Sequence, residues 1–149
     1  MPSAQHSVTI RRPVGDVFAF VADGESAAKW RSEHLLDIKR VSGTGVGTVY
    51  RQGVKGPGGR RIGADYELTA YEPNRRLAFK TIAGPVRPNG EFRFEETSDG
   101  TKVTLSLEAD LTGIKKLLLG AAVQRSMEAE VRATENLERA METNPPVAR

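Results

Sequence analysis

The 149-residue chain contains no cysteine, and its other scarce residues exclude several kinds of functional site. Without cysteine there is no disulfide, no thiolate metal site and no cysteine nucleophile. The two histidines, His6 and His34, are too few for a histidine-based metal centre, so we predict neither a metal nor another cofactor. His34 lies near acidic residues in the sequence, but we interpret it as part of an exposed strand and His6 as an exposed strand start.

Long apolar segments and a strong excess of one charge are also missing. The leucine run at residues 117–119 is far too short to cross a bilayer, and the N-terminus has no signal-peptide pattern. We therefore expect a cytoplasmic protein without membrane insertion. The net charge is +3 with acids and bases interspersed, which argues against a nucleic-acid partner.

The sequence has no established catalytic or phosphate-binding motif. It lacks a nucleophile elbow and a Ser-His-Asp order. The glycine-rich stretches at residues 43–47 and 56–61 lack the GxGxxG spacing and the Walker ending, so we interpret both as turns between strands. Basic residues make the second hairpin positive, so it could attract an anionic ligand or partner or be a solvated hairpin tip: Arg51, Lys55, Arg60 and Arg61.

The segment at residues 114–142 predicts one long amphipathic helix. Its apolar face recurs at steps of three and four and comprises Leu119, Val123, Met127, Val131, Thr134, Leu137 and Met141. At 1.5 Å per residue the helix would be about 40 Å long, so it must lie across something broad. Asn144 and the two prolines after it would end the helix, and we expect one domain at residues 1–144 with a disordered tail at residues 145–149.

The rest of the chain predicts seven strands and two short helices. The strands are expected at residues 7–11, 35–41, 47–54, 62–71, 76–82, 91–96 and 102–111. Val14, Val17, Phe18 and Val21 have helical spacing, and a second short helix is expected at residues 25–30. Alternation along the later strands separates an apolar face from a face of mixed charge. The sequence thus predicts an α+β fold, a curved antiparallel sheet that packs its dry face against the long C-terminal helix.

The order strand, two short helices, six strands and long helix resembles the helix-grip fold of the START-like, pollen-allergen-like (SRPBCC) superfamily, in its polyketide cyclase/dehydrase-like branch. The stretches that carry this resemblance are residues 8–18 with Asp23 and Trp30, residues 45–48, residues 71–79 and residues 99–104. The resemblance implies a deep hydrophobic cavity between sheet and helix that binds or transforms lipids, polyketides or aromatic compounds. It implies no family-wide catalytic motif, so no catalytic residue is carried over.

Glu130 is the candidate catalytic residue. On a helical wheel it falls inside the apolar face of the long helix, where a carboxylate must be paired or face a wet cavity. If desolvated, its pKa would rise and it could act as an acid, a base or a hydrogen-bond partner. The alternative is that the helix projects past the sheet and Glu130 reaches water. Glu138 is ambiguous in the same way.

We predict thirteen residues around the cavity: Trp30, Tyr50, Gln52, Tyr66, Leu68, Phe79, Phe92, Phe94, Val123, Met127, Glu130, Val131 and Thr134. Tyr50, Gln52 and Tyr66 could orient a carbonyl or a phenol in an otherwise apolar pocket, or they could be core and edge residues without function. Trp30 could stack on a ligand or pack its helix onto the sheet, and Met127 could simply fill a gap.

Three functions remain open from the sequence. The first is binding of a small hydrophobic molecule, and the second is a cyclase, aromatase or dehydratase that uses the same cavity. The third is a protein-interaction module, for which a filled core would be expected. We expect the protein to be a monomer or a homodimer.

Overall fold

The computed structural model describes residues 2–111 and 113–143, without the side chains of residues 113–117 and 143. The helix stop at Asn144 and the tail at residues 145–149 lie outside these described residues. The helices are α1 Val14–Ala22, α2 Ala27–Trp30, α3 Gly113–Arg132 and α4 Leu137–Thr143. The strands are β1 Ser3–Ile10, β2 Leu35–Ser42, β3 Val49–Lys55, β4 Arg61–Gly63, β5 Tyr66–Glu72, β6 Arg76–Thr81, β7 Asn89–Thr97 and β8 Gly100–Glu108.

The strands form one curved antiparallel sheet with the order β1-β8-β7-β6-β5-β3-β2, and β4 pairs with β3 outside this path. The predicted α+β helix-grip architecture is confirmed. The predicted fourth strand, residues 62–71, is divided into β4 and β5 at Ala64 and Asp65. Gln52 bonds both of these residues and so interrupts the strand there. Its backbone N–H donates to Asp65 Oδ1 at 3.2 Å, and its side-chain amide donates to the Ala64 carbonyl at 2.9 Å.

The sheet has the predicted dry and wet faces. Val103, Leu105 and Leu107 on β8 are buried, whereas Lys102 beside them is exposed. Alternate residues of a strand point to opposite faces, so this pattern fixes one face toward the core. The outer face carries charged pairs, such as the 2.6 Å contact between Arg76 Nε and Glu91 Oε2.

The long C-terminal helix is present but is tightened at one place. A 3₁₀ turn at Ala133–Asn136 separates α3 from α4, so the prediction of one uninterrupted helix was wrong at this turn. The Thr134 hydroxyl donates to the Val131 carbonyl at 2.7 Å, a local bond that competes with the regular helical pattern. Asn136 donates to the Trp30 carbonyl at 3.1 Å and so ties the turn to α2.

The core is solid at one end and hollow at the other. From Met127 onward the apolar face of the C-terminal helices is buried, and Leu137 is fully inaccessible to solvent. The first half of α3 is different, because Leu119 is 39% exposed and Ala122 is exposed although both face the sheet side. The helix therefore stands away from the sheet over this half and leaves a space below it.

Candidate functional site

A cavity of about 520 Å³ lies below α3, which contributes lining residues between positions 119 and 130. Its floor is the dry face of the sheet, and its far wall is made by α2 and the end of α1. Most of its lining is apolar, with a few polar side chains at one corner. A cavity of this size and composition is typical of sites for small apolar ligands.

Four aromatic rings from four neighbouring strands form a continuous strip along the floor. Tyr50 and Tyr66 are stacked, with ring centroids 5.1 Å apart and planes 19° apart. Phe79 follows at 5.4 Å from Tyr66, and Phe92 follows at 6.2 Å from Phe79. Trp30 meets Phe92 edge-on at 6.1 Å from the α2 side. Rings at these separations attract one another, and their free faces can stack on a planar ligand.

An ion-paired network forms the polar corner of the cavity. Arg31 Nε lies 3.0 Å from Glu130 Oε2, and the two side chains are only 13% and 20% exposed. Arg31 Nη1 donates to Gln52 Oε1 at 3.1 Å, and the Gln52 side-chain amide in turn donates to the Ala64 carbonyl. Glu130 therefore faces the cavity with a partner, which the sequence left undecided.

The two tyrosine hydroxyls of the corner differ in their bonding. Tyr50 Oη accepts a hydrogen bond from the buried backbone N–H of Gly24 at 3.1 Å. Burial raises the pKa of the Tyr50 hydroxyl, although the Gly24 hydrogen bond acts in the opposite direction. Burial raises the pKa of the Tyr66 hydroxyl well above the ordinary value. Among the described residues the Tyr66 hydroxyl has no hydrogen-bond partner, so it stays free to meet a polar atom in the cavity.

Trp30 supplies a second polar atom without a partner. Its indole Nε1 is buried and has no hydrogen-bond partner among the described residues. Its ring packs on Phe92 of the sheet, as one interpretation of Trp30 predicted, and it also lines the cavity, where the other interpretation places a ligand. A buried donor left unpaired is costly, which makes it a candidate contact for a ligand acceptor.

Ten of the thirteen predicted residues line the cavity: Trp30, Tyr50, Gln52, Tyr66, Leu68, Phe79, Phe92, Val123, Met127 and Glu130. Phe94, Val131 and Thr134 are buried elsewhere and do not line it. Phe94 packs against Phe18 of α1 with ring centroids 5.1 Å apart, at the solid end of the core. Val131 and Thr134 bond one another there at the 3₁₀ turn. Whether the ten residues bind a ligand stays a prediction.

Arg31 was not predicted as a site residue, and His34 lies in a different environment from the predicted one. His34 precedes β2, is half-buried and lines the cavity, so its interpretation as an exposed strand residue was wrong. Arg31 follows the four-residue helix α2, which is too short for a periodic pattern to assign its direction. The one available signal was Glu130 itself, because a carboxylate on an apolar helix face must either have a partner or face a wet cavity.

No group of three or more histidine or acidic side chains is arranged to hold a metal ion in the part of the chain that the structure describes. In the same part, no helix is both long and apolar enough to span a membrane. Glu138, the second ambiguous carboxylate, lies outside the cavity and accepts a hydrogen bond from the Arg11 backbone N–H at 2.7 Å.

Comparisons with known proteins agree with this architecture. A Thermus thermophilus protein of solved structure superimposes with a TM-score of 0.82 at 23% identity, covering 97% of this chain and 100% of that one. The Zhui aromatase/cyclase from Streptomyces sp. R1128 superimposes with a TM-score of 0.70 at 18% identity, covering 98% of this chain and 97% of that one. The di-domain ARO/CYC StfQ from the steffimycin biosynthetic pathway gives 0.78 at 14% identity, covering 96% of this chain and 51% of that one.

Likenesses at these identities establish the fold, whereas the sequence itself establishes the family. No curated protein matches the chain. The family model described as "Polyketide cyclase / dehydrase and lipid transport" matches residues 1–142, which is nearly the whole chain. The chain therefore belongs to the polyketide cyclase/dehydrase and lipid transport family.

Proposed function

We propose that this protein binds a small lipid-, polyketide- or aromatic-like molecule in the cavity below α3. The observation that carries the proposal is a space of about 520 Å³ with an apolar lining and one polar corner. Apolar burial supplies about 25 cal/mol for each Å² removed from water, and the few polar groups fix the orientation of the ligand. A solid core would have favoured a protein-interaction module instead.

The chemistry of the corner favours a ligand with a neutral oxygen over a carboxylate. Glu130 already pairs with Arg31, so a second carboxylate there would meet a neutralised guanidinium and a like charge. The free Tyr66 hydroxyl can donate to a carbonyl or phenolic oxygen. The aromatic strip beside it, from Tyr66 to Phe92, offers faces on which a planar ring can stack.

Native mass spectrometry of freshly purified protein tests the proposal without any assumption about the ligand. We expect a bound small molecule whose mass adds to that of the chain. A matched pair of probes then tests the polar corner: acetylnaphthalene carries a carbonyl oxygen, and ethylnaphthalene has nearly the same shape without it. We expect both to bind and the ketone to bind more tightly.

The variant Tyr66→Phe separates orientation from apolar burial. Loss of one neutral hydrogen bond should weaken acetylnaphthalene binding about threefold to tenfold, with little effect on ethylnaphthalene. Tyr71→Phe is the matched control, because the Tyr71 ring packs on Phe18 away from the cavity. If neither probe binds and no molecule copurifies, the proposal is wrong.

The second candidate function is a cyclase, aromatase or dehydratase reaction in the same cavity. It is favoured by the carboxylate that Arg31 positions at the cavity wall. In this scheme Glu130 takes a proton from a methylene group between two carbonyls of a folded poly-carbonyl chain. The enolate carbon attacks a second carbonyl carbon of that chain, and the oxygen of that carbonyl takes the proton back from Glu130 to become a hydroxyl group. The hydroxyl group and a hydrogen from the adjacent carbon can then leave as water, with formation of a C=C bond. Tyr66 and Arg31 would stabilise the enolate oxygen.

Glu130→Gln distinguishes the enzyme from the binding protein. The variant should abolish turnover of a poly-carbonyl substrate and leave ethylnaphthalene binding nearly intact. Glu138→Gln is the matched control, a carboxylate further along the same helical segment that bonds Arg11 outside the cavity. Turnover that persists in Glu130→Gln would remove Glu130 from the mechanism.

We also infer that the protein acts as a cytoplasmic single domain of residues 1–144, as a monomer or a homodimer. The two edge strands support the monomer, because side chains already bond their backbone groups. Gln124 bonds Ser3 N and O on β1 at 2.9 and 2.6 Å, and Glu25 accepts from Arg40 N on β2 at 2.9 Å. A side chain bonded to the backbone of an edge strand hinders pairing with another chain at that residue. Light scattering at several protein concentrations measures the oligomeric state.

A further inference from the structure

The cavity opens to solvent at a mouth that three segments of the chain surround. Residues that line the cavity and are also exposed define this mouth: Lys55, Pro57, Pro85, Leu119, Ala122 and Ser126. They belong to the end of β3 and the hairpin after it, the loop between β6 and β7, and residues 119–126 of α3. Any ligand of the cavity passes between these segments.

The two loops at the mouth carry cations and no acids. Residues 55–63 contain Lys55, Arg60 and Arg61, residues 82–90 contain Arg87, and neither stretch has an aspartate or glutamate. Arg61 is neutralised by Asp37, with two contacts of 2.8 Å. Lys55 and Arg60 are exposed and form no ion pair with the described residues, and the exposed Arg87 bonds only the Gly84 carbonyl there, at 3.1 Å.

The third segment of the mouth presents leucines to water. Leu118 is 71% exposed, and its neighbour Leu119, which lines the cavity, is 39% exposed. Leu119 lies at the opening of an apolar cavity, Leu118 is exposed one position before it on the same helical turn, and neither belongs to the buried core. The rim therefore combines aliphatic groups with unpaired cations, whereas the net charge of the whole chain is only +3.

We propose that the mouth of the cavity docks on the surface of an anionic lipid bilayer. Cations at a membrane surface are attracted by acidic headgroups, and exposed leucines gain by entering the boundary of the acyl chains. An acidic protein as the partner would form ion pairs with Lys55, Arg60 and Arg87, but it would not provide an apolar phase for the leucines to enter. A docked mouth also lets an apolar ligand move between bilayer and cavity without crossing water.

Vesicle sedimentation tests this proposal on the full chain without any added ligand, so its outcome is independent of the proposed function. Vesicles of equal parts phosphatidylcholine and phosphatidylglycerol are compared with pure phosphatidylcholine. We expect binding to the anionic vesicles in low salt, release in half-molar salt, and little binding to neutral vesicles. Failure to bind anionic vesicles in low salt overturns the proposal and leaves ligand binding untouched.

Two triple variants of equal charge locate the surface. Lys55→Gln with Arg60→Gln and Arg87→Gln should lower the partition coefficient about a hundredfold, since each cation near the surface contributes about fivefold. Lys29→Gln with Lys39→Gln and Lys102→Gln removes the same charge from exposed sites away from the mouth and should change it only a few-fold. Equal losses in the two variants would mean that net charge alone drives binding and would overturn the proposal.

A leucine variant separates the bilayer from a purely electrostatic partner. Leu118→Ser keeps the charge of the rim and should weaken vesicle binding severalfold, because its side chain no longer enters the acyl boundary. Urea unfolding of each variant verifies that the fold is retained. Unchanged binding of Leu118→Ser would contradict docking through the mouth.

Discussion

Arg31 Nε and Glu130 Oε2 lie 3.0 Å apart at the edge of the cavity and join the end of α2 to the second half of α3. Among the described residues, no other ion pair links these two parts of the fold. The pair closes one side of the hollow region, and Gln52 extends it to the sheet at 3.1 Å from Arg31 Nη1. The ion pair therefore contributes both to the stability of the fold and to the polarity of the site.

Breaking this pair should destabilise the protein more than breaking a surface ion pair. Glu130→Gln leaves the Arg31 charge without its partner at a site where both side chains are mostly buried. We expect a loss of about 1–2 kcal/mol in the free energy of unfolding, between the values of exposed and fully buried pairs. Urea unfolding measures it.

The double variant Arg31→Met with Glu130→Leu is the control for this prediction. Replacing both charges with apolar groups leaves no unpaired charge, although Gln52 Oε1 loses its hydrogen bond from Arg31, so the double variant should be more stable than Glu130→Gln. If the double variant is less stable than Glu130→Gln, lost packing dominates and the argument from the unpaired charge is wrong.

The two tyrosines of the polar corner should respond differently to loss of their hydroxyls. Tyr50→Phe leaves the buried Gly24 N–H without its acceptor and should cost about 1–2 kcal/mol of stability. Tyr66→Phe removes a hydroxyl that has no partner among the described residues and should change stability by less than about 0.5 kcal/mol. Urea unfolding of both variants measures the difference, and equal losses would show that the hydroxyl contacts do not determine it.

The strands and their faces could be predicted from the sequence because alternation reports burial directly. Val103, Leu105 and Leu107 alternate with polar residues, and this period assigns both the strand and its dry face. The long helix could be predicted for the same reason, from a period near 3.6. The 3₁₀ turn could not, because it depends on the Thr134 hydroxyl bond to Val131, and Thr134 fits the apolar periodicity equally well.

The candidate site could be predicted only in part, because a pattern assigns faces and does not measure the space between them. Phe92 and Phe94 share the dry face of β7, yet Phe92 lines the cavity and Phe94 is covered by α1. The contact between Arg31 and Glu130 joins residues 99 positions apart, and no local period relates them. The exposed part of Leu119 likewise depends on how far α3 stands from the sheet.

The contact between Glu138 and Arg11 predicts a loss of stability in acid. The Arg11 backbone N–H, followed by its guanidinium, lowers the pKa of the Glu138 carboxyl. A lowered folded-state pKa contributes stability above the ordinary carboxyl pKa, and this is lost as the pH falls through the folded value. The contribution is less than about 1 kcal/mol, because the contact is near the surface.

Urea unfolding between neutral and acidic pH measures this contribution. Glu138→Gln should be less stable than the unmodified protein at neutral pH, and the gap should close on acidification. Glu96→Gln is the control, an exposed carboxylate on β7 without an ion pair to the described residues. A gap that stays constant with pH would indicate that Glu138 acts through packing and not through its charge.

At the alkaline end, the buried tyrosines should make the protein less stable as the pH rises above about 10. Burial raises the pKa of the Tyr66 hydroxyl, and it also raises the pKa of the Tyr50 hydroxyl. Above the pKa of the unfolded chain, the unfolded state loses these protons while the folded state keeps them, so the free energy of unfolding falls by at most about 1.4 kcal/mol per pH unit for each group.

Phenolate absorbance followed together with circular dichroism measures the effect: both hydroxyls should ionise only as the fold is lost. Tyr66→Phe should flatten the alkaline slope. Ionisation of Tyr66 in the intact fold would mean that the cavity corner is wet enough to solvate a phenolate, and the corner would then be too polar for the apolar site proposed.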